Sequence, residues 1–186
     1  MLVNIVFITV FVLFFVTNTL QEKIYKKRGF NATGTIPVDK RLFAIGKFSV
    51  LLAWSASFLQ AIGVNLRMIM LSGGFDIAAA AVFSAGFVIS AIAHLHLAEA
   101  NTPVLPDGTT TLKTRGIFRF SRNPSYLGIY LMTLASILFT ADLVILILGC
   151  IGIVIHHRII KKEEEFLTAR FGADYGAYCS RTRRYI

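Results

Sequence analysis

The chain has 186 residues, of which 55% are hydrophobic and 16% charged, well below the roughly 25% charged content of soluble domains. Its mean hydropathy of +0.67 is gathered into runs near 20 residues long, which disfavours a soluble globular enzyme and points to a polytopic membrane protein. Nineteen Lys and Arg against ten Asp and Glu give +9, a balance that suits either nucleic acid or an anionic membrane surface until the charges are placed along the chain.

At this length the expectation is one integral membrane domain over residues 1–186, with three helices in 1–97 and a polar loop, a helical hairpin and a tail in 98–186. Cys150 lies in an apolar run and Cys179 in the polar tail, so no structural disulfide is expected. Cys179 also stands too far from the C-terminus for a C-a-a-X prenylation signal.

Residues 2–20 would rise about 28 Å as a helix, close to the hydrocarbon thickness, and are expected to be a retained anchor rather than a removable signal peptide. Residues 42–62 form the second run, with Lys47, Trp54 and Gln60 able to reach the interface. The third, 77–97, opens on an alanine-rich stretch that permits close helix contact. Runs 126–139 and 143–155 are separated only by Thr140, Ala141 and Asp142, which predicts a helical hairpin whose second arm continues as a charged helix toward Leu167. The expected fold is therefore an all-α membrane bundle of about five transmembrane helices, the last two a hairpin, followed by a cytoplasmic C-terminal helix.

Lys and Arg number six over residues 21–41, one over 63–76, four over 98–125, none in the hairpin turn and seven from 156 onward; Lys47 completes the nineteen. By the positive-inside rule the N-terminus is expected outside and the C-terminus in the cytoplasm. Topology thus accounts for the positive charge, and no nucleic-acid partner is expected.

Two segments on the cytoplasmic side carry more polar detail than an anchor requires: 99–128, and 161–178 with its KKEEEF and FGADYGAY stretches. A folded hairpin brings them together at one membrane face. Arg122-Asn123-Pro124 fits a helix start with Asn123 as N-cap and, equally well, a ligand site. Glu163, Glu164 and Glu165 taken alone read as a solvated charged face. Tyr175, Tyr178 and Tyr185 are expected as interfacial anchors, and Asp142 as a solvated turn residue. His94 and His96 point to different faces of a helix and His156 and His157 are adjacent, so no metal site is expected.

Taken together, Leu112-Lys113-Thr114-Arg115-Gly116-Ile117-Phe118-Arg119, Arg122-Asn123-Pro124-Ser125-Tyr126-Leu127-Gly128, Glu163-Glu164, Phe171-Gly172 and Tyr175 to Tyr178 resemble, in order and spacing, the isoprenylcysteine carboxyl methyltransferase and phospholipid methyltransferase superfamily of membrane enzymes. The resemblance covers residues 94–186. It implies a methyltransferase that binds S-adenosylmethionine on the cytoplasmic side and acts on a lipophilic or amphiphilic acceptor, a small molecule or lipid. It also implies a cofactor pocket lined by Thr110, Thr111, Leu112, Lys113, Phe118, Asn123, Pro124, Ser125, Tyr126 and Glu163. Such a cofactor carries an ammonium and a sulfonium, which a carboxylate can pair with and aromatic rings can cover.

Glu164 is the candidate to orient or deprotonate the acceptor. The family's substrate arginine falls at Ile159 here, with Arg158 adjacent as the candidate substitute. Two other readings are a membrane reductase of the sterol-reductase type using NADPH and a non-enzymatic membrane adaptor whose loops bind anionic lipid.

Overall fold

The computed structural model describes residues 1–27, 38–99 and 110–186. Its elements are α1 (Leu2–Lys27), α2 (Lys40–Ala61), α3 (Gly73–Glu99), a 3-10 turn at Gly116–Arg119, α4 (Pro124–Thr140) and α5 (Leu143–Cys179). Four of the five α-helices are long and apolar enough to cross a membrane, and α4, at 17 residues, is shorter. No strand occurs among the described residues. The all-helical bundle predicted from the sequence is the fold observed.

The helix ends follow local chemistry. Asp39 caps α2 by accepting from the Arg41 and Leu42 amides at 2.9 and 3.2 Å. Asp142 likewise accepts from the Ile145 amide at 3.0 Å, so the residue expected to be a solvated turn position starts α5. Between α4 and α5 the chain reverses through Ala141, whose φ of 45° and ψ of 43° are left-handed. The hairpin exists, but its arms take different main partners, with α4 lying chiefly on α3 and α5 chiefly on α2.

Small residues set the α3–α4 contact: a Cβ on Gly86 would fall 2.7 Å from the Gly128 carbonyl oxygen, so neither helix backbone could stay where it is. Phe7 of α1 stacks on Phe139 of α4 at 4.0 Å between ring centroids and also meets Phe83 of α3. The Trp54 indole of α2 donates to the Thr133 hydroxyl at 3.1 Å. The outward faces keep exposed Ile5, Val12, Val16, Leu146, Ile147 and Val154, which suits a lipid solvent.

At 37 residues α5 rises about 55 Å, far more than a hydrocarbon core of roughly 30 Å needs. About 20 residues cover the membrane, so its spanning part ends near Lys161 and Lys162, and Glu163 onward projects beyond it. The helix breaks at Gly172, with φ 49° and ψ −118°, and the last turns carry Tyr175 and Tyr178 onto the same membrane face.

Candidate functional site

Three stretches distant in sequence build this face. Thr110 to Thr114 run without regular structure into the 3-10 turn, which begins at Gly116 with φ +63°. A side chain there would meet the His96 ring within 2.8 Å, so glycine serves both the backbone and the packing. The turn buries Phe118, and the Phe118 carbonyl accepts from the Tyr178 hydroxyl at 2.5 Å. This bond ties the loop before α4 to the end of α5.

Asn123 occupies the N-cap position of α4, yet its side chain makes no cap bond. The amide donates instead to Glu164 Oε1 at 3.0 Å and to the Arg184 carbonyl at 3.2 Å. Of the two sequence readings, the capping one gives way to a tie between the segments. Arg122 reaches the same Glu164 oxygen through Nε and Nη2 at 3.3 and 3.2 Å and donates to the Thr182 carbonyl at 2.7 Å. On the next turn the Tyr126 hydroxyl donates to Glu163 Oε1, and Ser125 Oγ lies 2.8 Å from His94 Nε2 of α3.

A cleft of about 670 Å³, counted to its open mouth, lies among these groups, within the size range of small-molecule sites. All ten residues expected around the cofactor, Thr110, Thr111, Leu112, Lys113, Phe118, Asn123, Pro124, Ser125, Tyr126 and Glu163, line this one cleft. Leu97, Arg122, Leu167, Tyr175 and Tyr178 complete its wall.

The structure places the other two expected residues elsewhere. Glu164 lies behind Asn123 and Arg122 rather than on the cleft wall, with both carboxylate oxygens occupied. Arg158 is exposed and borders a separate groove with Tyr130, Lys161 and Tyr185, while Ile159 is fully buried against Tyr126 and α2.

The two adjacent glutamates differ electrostatically. Burial pushes the Glu163 carboxyl up to about 8, opposed by the Tyr126 hydrogen bond and assisted by the negative charge of Glu164. Burial would also raise Glu164, but the hydrogen bond from Arg184, the charge of Arg122 and the bond from Asn123 prevail and hold it below its ordinary value. Glu163 is therefore the buried acid on the cleft wall with no cationic partner among the described residues. Glu165, one position on, is exposed and pairs with Lys162 at 2.7 Å.

Tyr175 and Tyr178 correct the anchor expectation, being 3% and 4% exposed and turned into the cleft. The Tyr175 hydroxyl is buried, with the Cys179 thiol and the charges of Glu164 and Arg122 near it. Their spacing of three on a helix, which puts both rings on one face, is the signal that could have revealed this. The part played by the last residues, Thr182 to Arg184, had no such signal, because their basic character is satisfied by topology alone.

A family model, phospholipid methyltransferase, matches residues 75–174, more than half of the chain. The chain belongs to the phospholipid methyltransferase family. The match takes in most of α3, the turn, α4 and α5 as far as Asp174, which includes both glutamates. The superfamily is one of integral membrane methyltransferases, in keeping with the apolar helices of this phospholipid methyltransferase family member. No curated protein matches the chain.

The donor set fits a cationic cofactor of the kind used by methyltransferases. An acid without a cationic partner, an underused phenol and four rings, Phe118, Tyr126, Tyr175 and Tyr178, share one wall, whereas an ammonium or sulfonium requires a carboxylate and tolerates π-faces.

Proposed function

We propose that the protein catalyses S-adenosylmethionine-dependent methyl transfer to a lipophilic or amphiphilic acceptor at the cytoplasmic membrane face. The observation that carries this reading is Glu163, a buried carboxyl on the wall of the cleft lined by all ten cofactor candidates. When bound, the cofactor supplies an electrophilic methyl group. The chain's own residues then have three tasks: to bind, to orient and to exclude water.

Glu163 holds the ammonium. Phe118, Tyr126, Tyr175 and Tyr178 cover the apolar and sulfonium parts, and Thr110 to Lys113 with Asn123 close the polar side. Glu164 acts through Asn123 and Arg122 as a positioning residue, because no oxygen of its carboxylate is left to meet an acceptor. Arg158 stays outside the cofactor cleft. The cytoplasmic setting rests on the basic segments, which lie at the same end of the bundle as the cleft.

An NADPH-dependent reductase is the competing reading, since Lys113 and Arg122 also line the cleft and could meet phosphate groups. Calorimetric titration of the purified protein with S-adenosylmethionine and with NADPH separates the readings. The expected result is saturable binding of S-adenosylmethionine, weakened about tenfold to a hundredfold by Glu163→Gln and unchanged by Glu165→Gln. Binding of NADPH alone, or equal small effects of both substitutions, would overturn the assignment.

A further inference from the structure

The groove beside Arg158 lies between α4 and α5 and measures about 760 Å³, counted to its open mouth. One stripe of α5 forms its wall: Val154, His157, Arg158 and Lys161 follow at i, i+3, i+4 and i+7. Val154, Arg158 and Lys161 are exposed, so the groove opens outward from the bundle, whereas Ile155 and Ile159 on another face of the helix pack toward α2. Counted from Leu143, Ile153 stands about 15 Å along the helix and Lys161 about 27 Å. In a hydrocarbon core of roughly 30 Å the groove therefore runs from mid-bilayer to the headgroups, apolar at Ile153 and Val154 and basic at its outer end.

That outer end holds positive charge without a counter-charge. Neither Arg158 nor Lys161 forms an ion pair among the described residues, and no Asp or Glu lines the groove. Lys161 can reach the headgroups by extending its stem. Arg158 starts nearly one turn deeper, beside the apolar part of the groove, and an unpaired guanidinium at that depth calls for an anion.

Aromatic groups complete the basic end. His157 Nδ1 lies 2.6 Å from the Tyr185 hydroxyl, and the Tyr185 ring meets the Tyr130 ring at 5.6 Å between centroids. The Tyr130 hydroxyl is buried near Tyr185 without a hydrogen bond of normal geometry. Tyr185 is fixed from behind as well, because Arg184, the residue before it, is held by Glu164. The end of the chain is thus part of the groove wall.

Shape and charge together select the ligand. A phosphodiester can accept from a guanidinium, an ammonium and a phenol at once, while an acyl chain below it covers Ile153 and Val154. The head should carry no cation of its own, because a choline or ethanolamine would add a third positive charge where no carboxylate is present. The groove shares no lining residue with the cofactor cleft, so its ligand is held apart from the groups there.

We propose that the groove between α4 and α5 binds an anionic phospholipid as a resident lipid that is not itself methylated, with its phosphate on Arg158 and Lys161 and one acyl chain along Ile153 and Val154. The site stands independently of the methyl-transfer reading.

The test uses the full chain, delipidated in detergent and returned to phosphatidylcholine nanodiscs doped with a phosphatidylglycerol that carries a diazirine in one acyl chain. Cross-linked peptides are mapped with an excess of plain phosphatidylglycerol or of zwitterionic phosphatidylethanolamine as competitor. The expected labels fall on α5 near Ile153 to His157 and on α4 near Tyr130, and only phosphatidylglycerol competes. Arg158→Gln combined with Lys161→Gln should reduce labelling about tenfold. Arg158→Lys combined with Lys161→Arg, which keeps both charges, should retain most of it. Lys23→Gln combined with Lys27→Gln removes the same charge from exposed positions of α1, which packs on α2 and α3, and should change little.

Labels spread along α1 and α3, equal competition by phosphatidylethanolamine, or a loss no greater than in the Lys23, Lys27 variant would overturn the proposal. So would a methyl group from labelled S-adenosylmethionine on the cross-linked lipid, which would make it an acceptor rather than a resident.

Discussion

Arg184 closes on Glu164 through two donors, Nε at 2.9 Å and Nη2 at 2.7 Å, both to Oε2, while Arg122 and Asn123 take Oε1. The carboxylate thus joins the C-terminal segment to the start of α4. Backbone bonds run parallel to it, from the Arg122 amide to the Arg183 carbonyl at 3.0 Å and from Ser121 Oγ to the Arg184 carbonyl at 3.2 Å. Residues that touch the cleft, Asn123 and Arg122, are held from behind by residues that do not.

Removing the carboxylate charge leaves two guanidinium groups around a neutral amide, so Glu164→Gln should destabilise the protein by about 3 kcal/mol. Arg184 is 37% exposed at its side chain and should cost only about 1 kcal/mol on replacement by alanine. Thermal unfolding in detergent measures both. A positioning role further requires that Arg184→Ala raise KM for S-adenosylmethionine and leave kcat nearly unchanged, with Arg184→Lys recovering part of the loss. A collapse of kcat at saturating cofactor would instead place this pair in direct contact with the reacting groups.

Glu163 makes cofactor affinity depend on pH. With its carboxyl held up to about 8, the unliganded site is largely protonated at neutral pH, and pairing with an ammonium requires that proton to leave. Affinity should therefore rise toward about pH 8 and then fall as the cofactor's amino group, with an ordinary value of about 7.7 to 8.0, loses its charge. Calorimetry from pH 6 to 9 should give this bell shape, and Glu163→Gln should abolish the rising limb.

The same residue predicts a gain in stability without ligand. Between its ordinary 4.5 and about 8 the folded state binds one proton more than the unfolded chain, so stability falls as pH rises through that window. Glu163→Gln removes this penalty and should stabilise the unliganded protein at pH 7 by on the order of 3 kcal/mol. An unfolding midpoint that falls, or a pH slope that persists in the variant, would contradict the assigned burial.

The α3–α4 contact holds His94 against Ser125 of the cofactor cleft. A methyl group at Gly86 would press on the Gly128 carbonyl at 2.7 Å and on the Met132 amide at 2.9 Å, both backbone atoms that cannot swing aside. Gly86→Ala should cost about 1 to 3 kcal/mol and separate His94 from Ser125, whereas Gly176→Ala, with nothing within 4 Å of the added carbon, should be tolerated. Comparing the two unfolding midpoints checks the contact directly.

Much of this was legible in the sequence because the bilayer imposes a period and a length on apolar runs. The four long helices, the Thr140 to Asp142 reversal and the grouping of Asn123 with Glu163 all follow from that constraint plus motif spacing. Asn123 and Glu164 show the limit: a side-chain N-cap and a solvated acid are what local chemistry predicts, and both give way to a bond that depends on how a hairpin folds across 41 residues. For Tyr175 and Tyr178 the spacing of three places both rings on one face, but which way that face turns is set by the break at Gly172. The Arg184 strap was hidden for a different reason, since charge counting had already given its residues a role.

Orientation rests on the distribution of Lys and Arg. Arg67, the single basic residue of the α2–α3 connection, is paired with Asp76 and donates through Nε to the Phe139 carbonyl at 3.1 Å. That end of the bundle carries one Lys or Arg, against six, four and seven in the three segments at the other end. The C-terminus and the cofactor cleft are therefore expected in the cytoplasm and the N-terminus outside. A phosphatase reporter after Ile186 should be inactive in intact cells, and a fluorescent protein at the same position should mature. Arg67→Gln should leave the orientation unchanged, because the three basic segments at the other end already set it. An active phosphatase fusion would put the cleft on the face away from cytoplasmic S-adenosylmethionine and would contradict the proposed reaction at its most basic requirement.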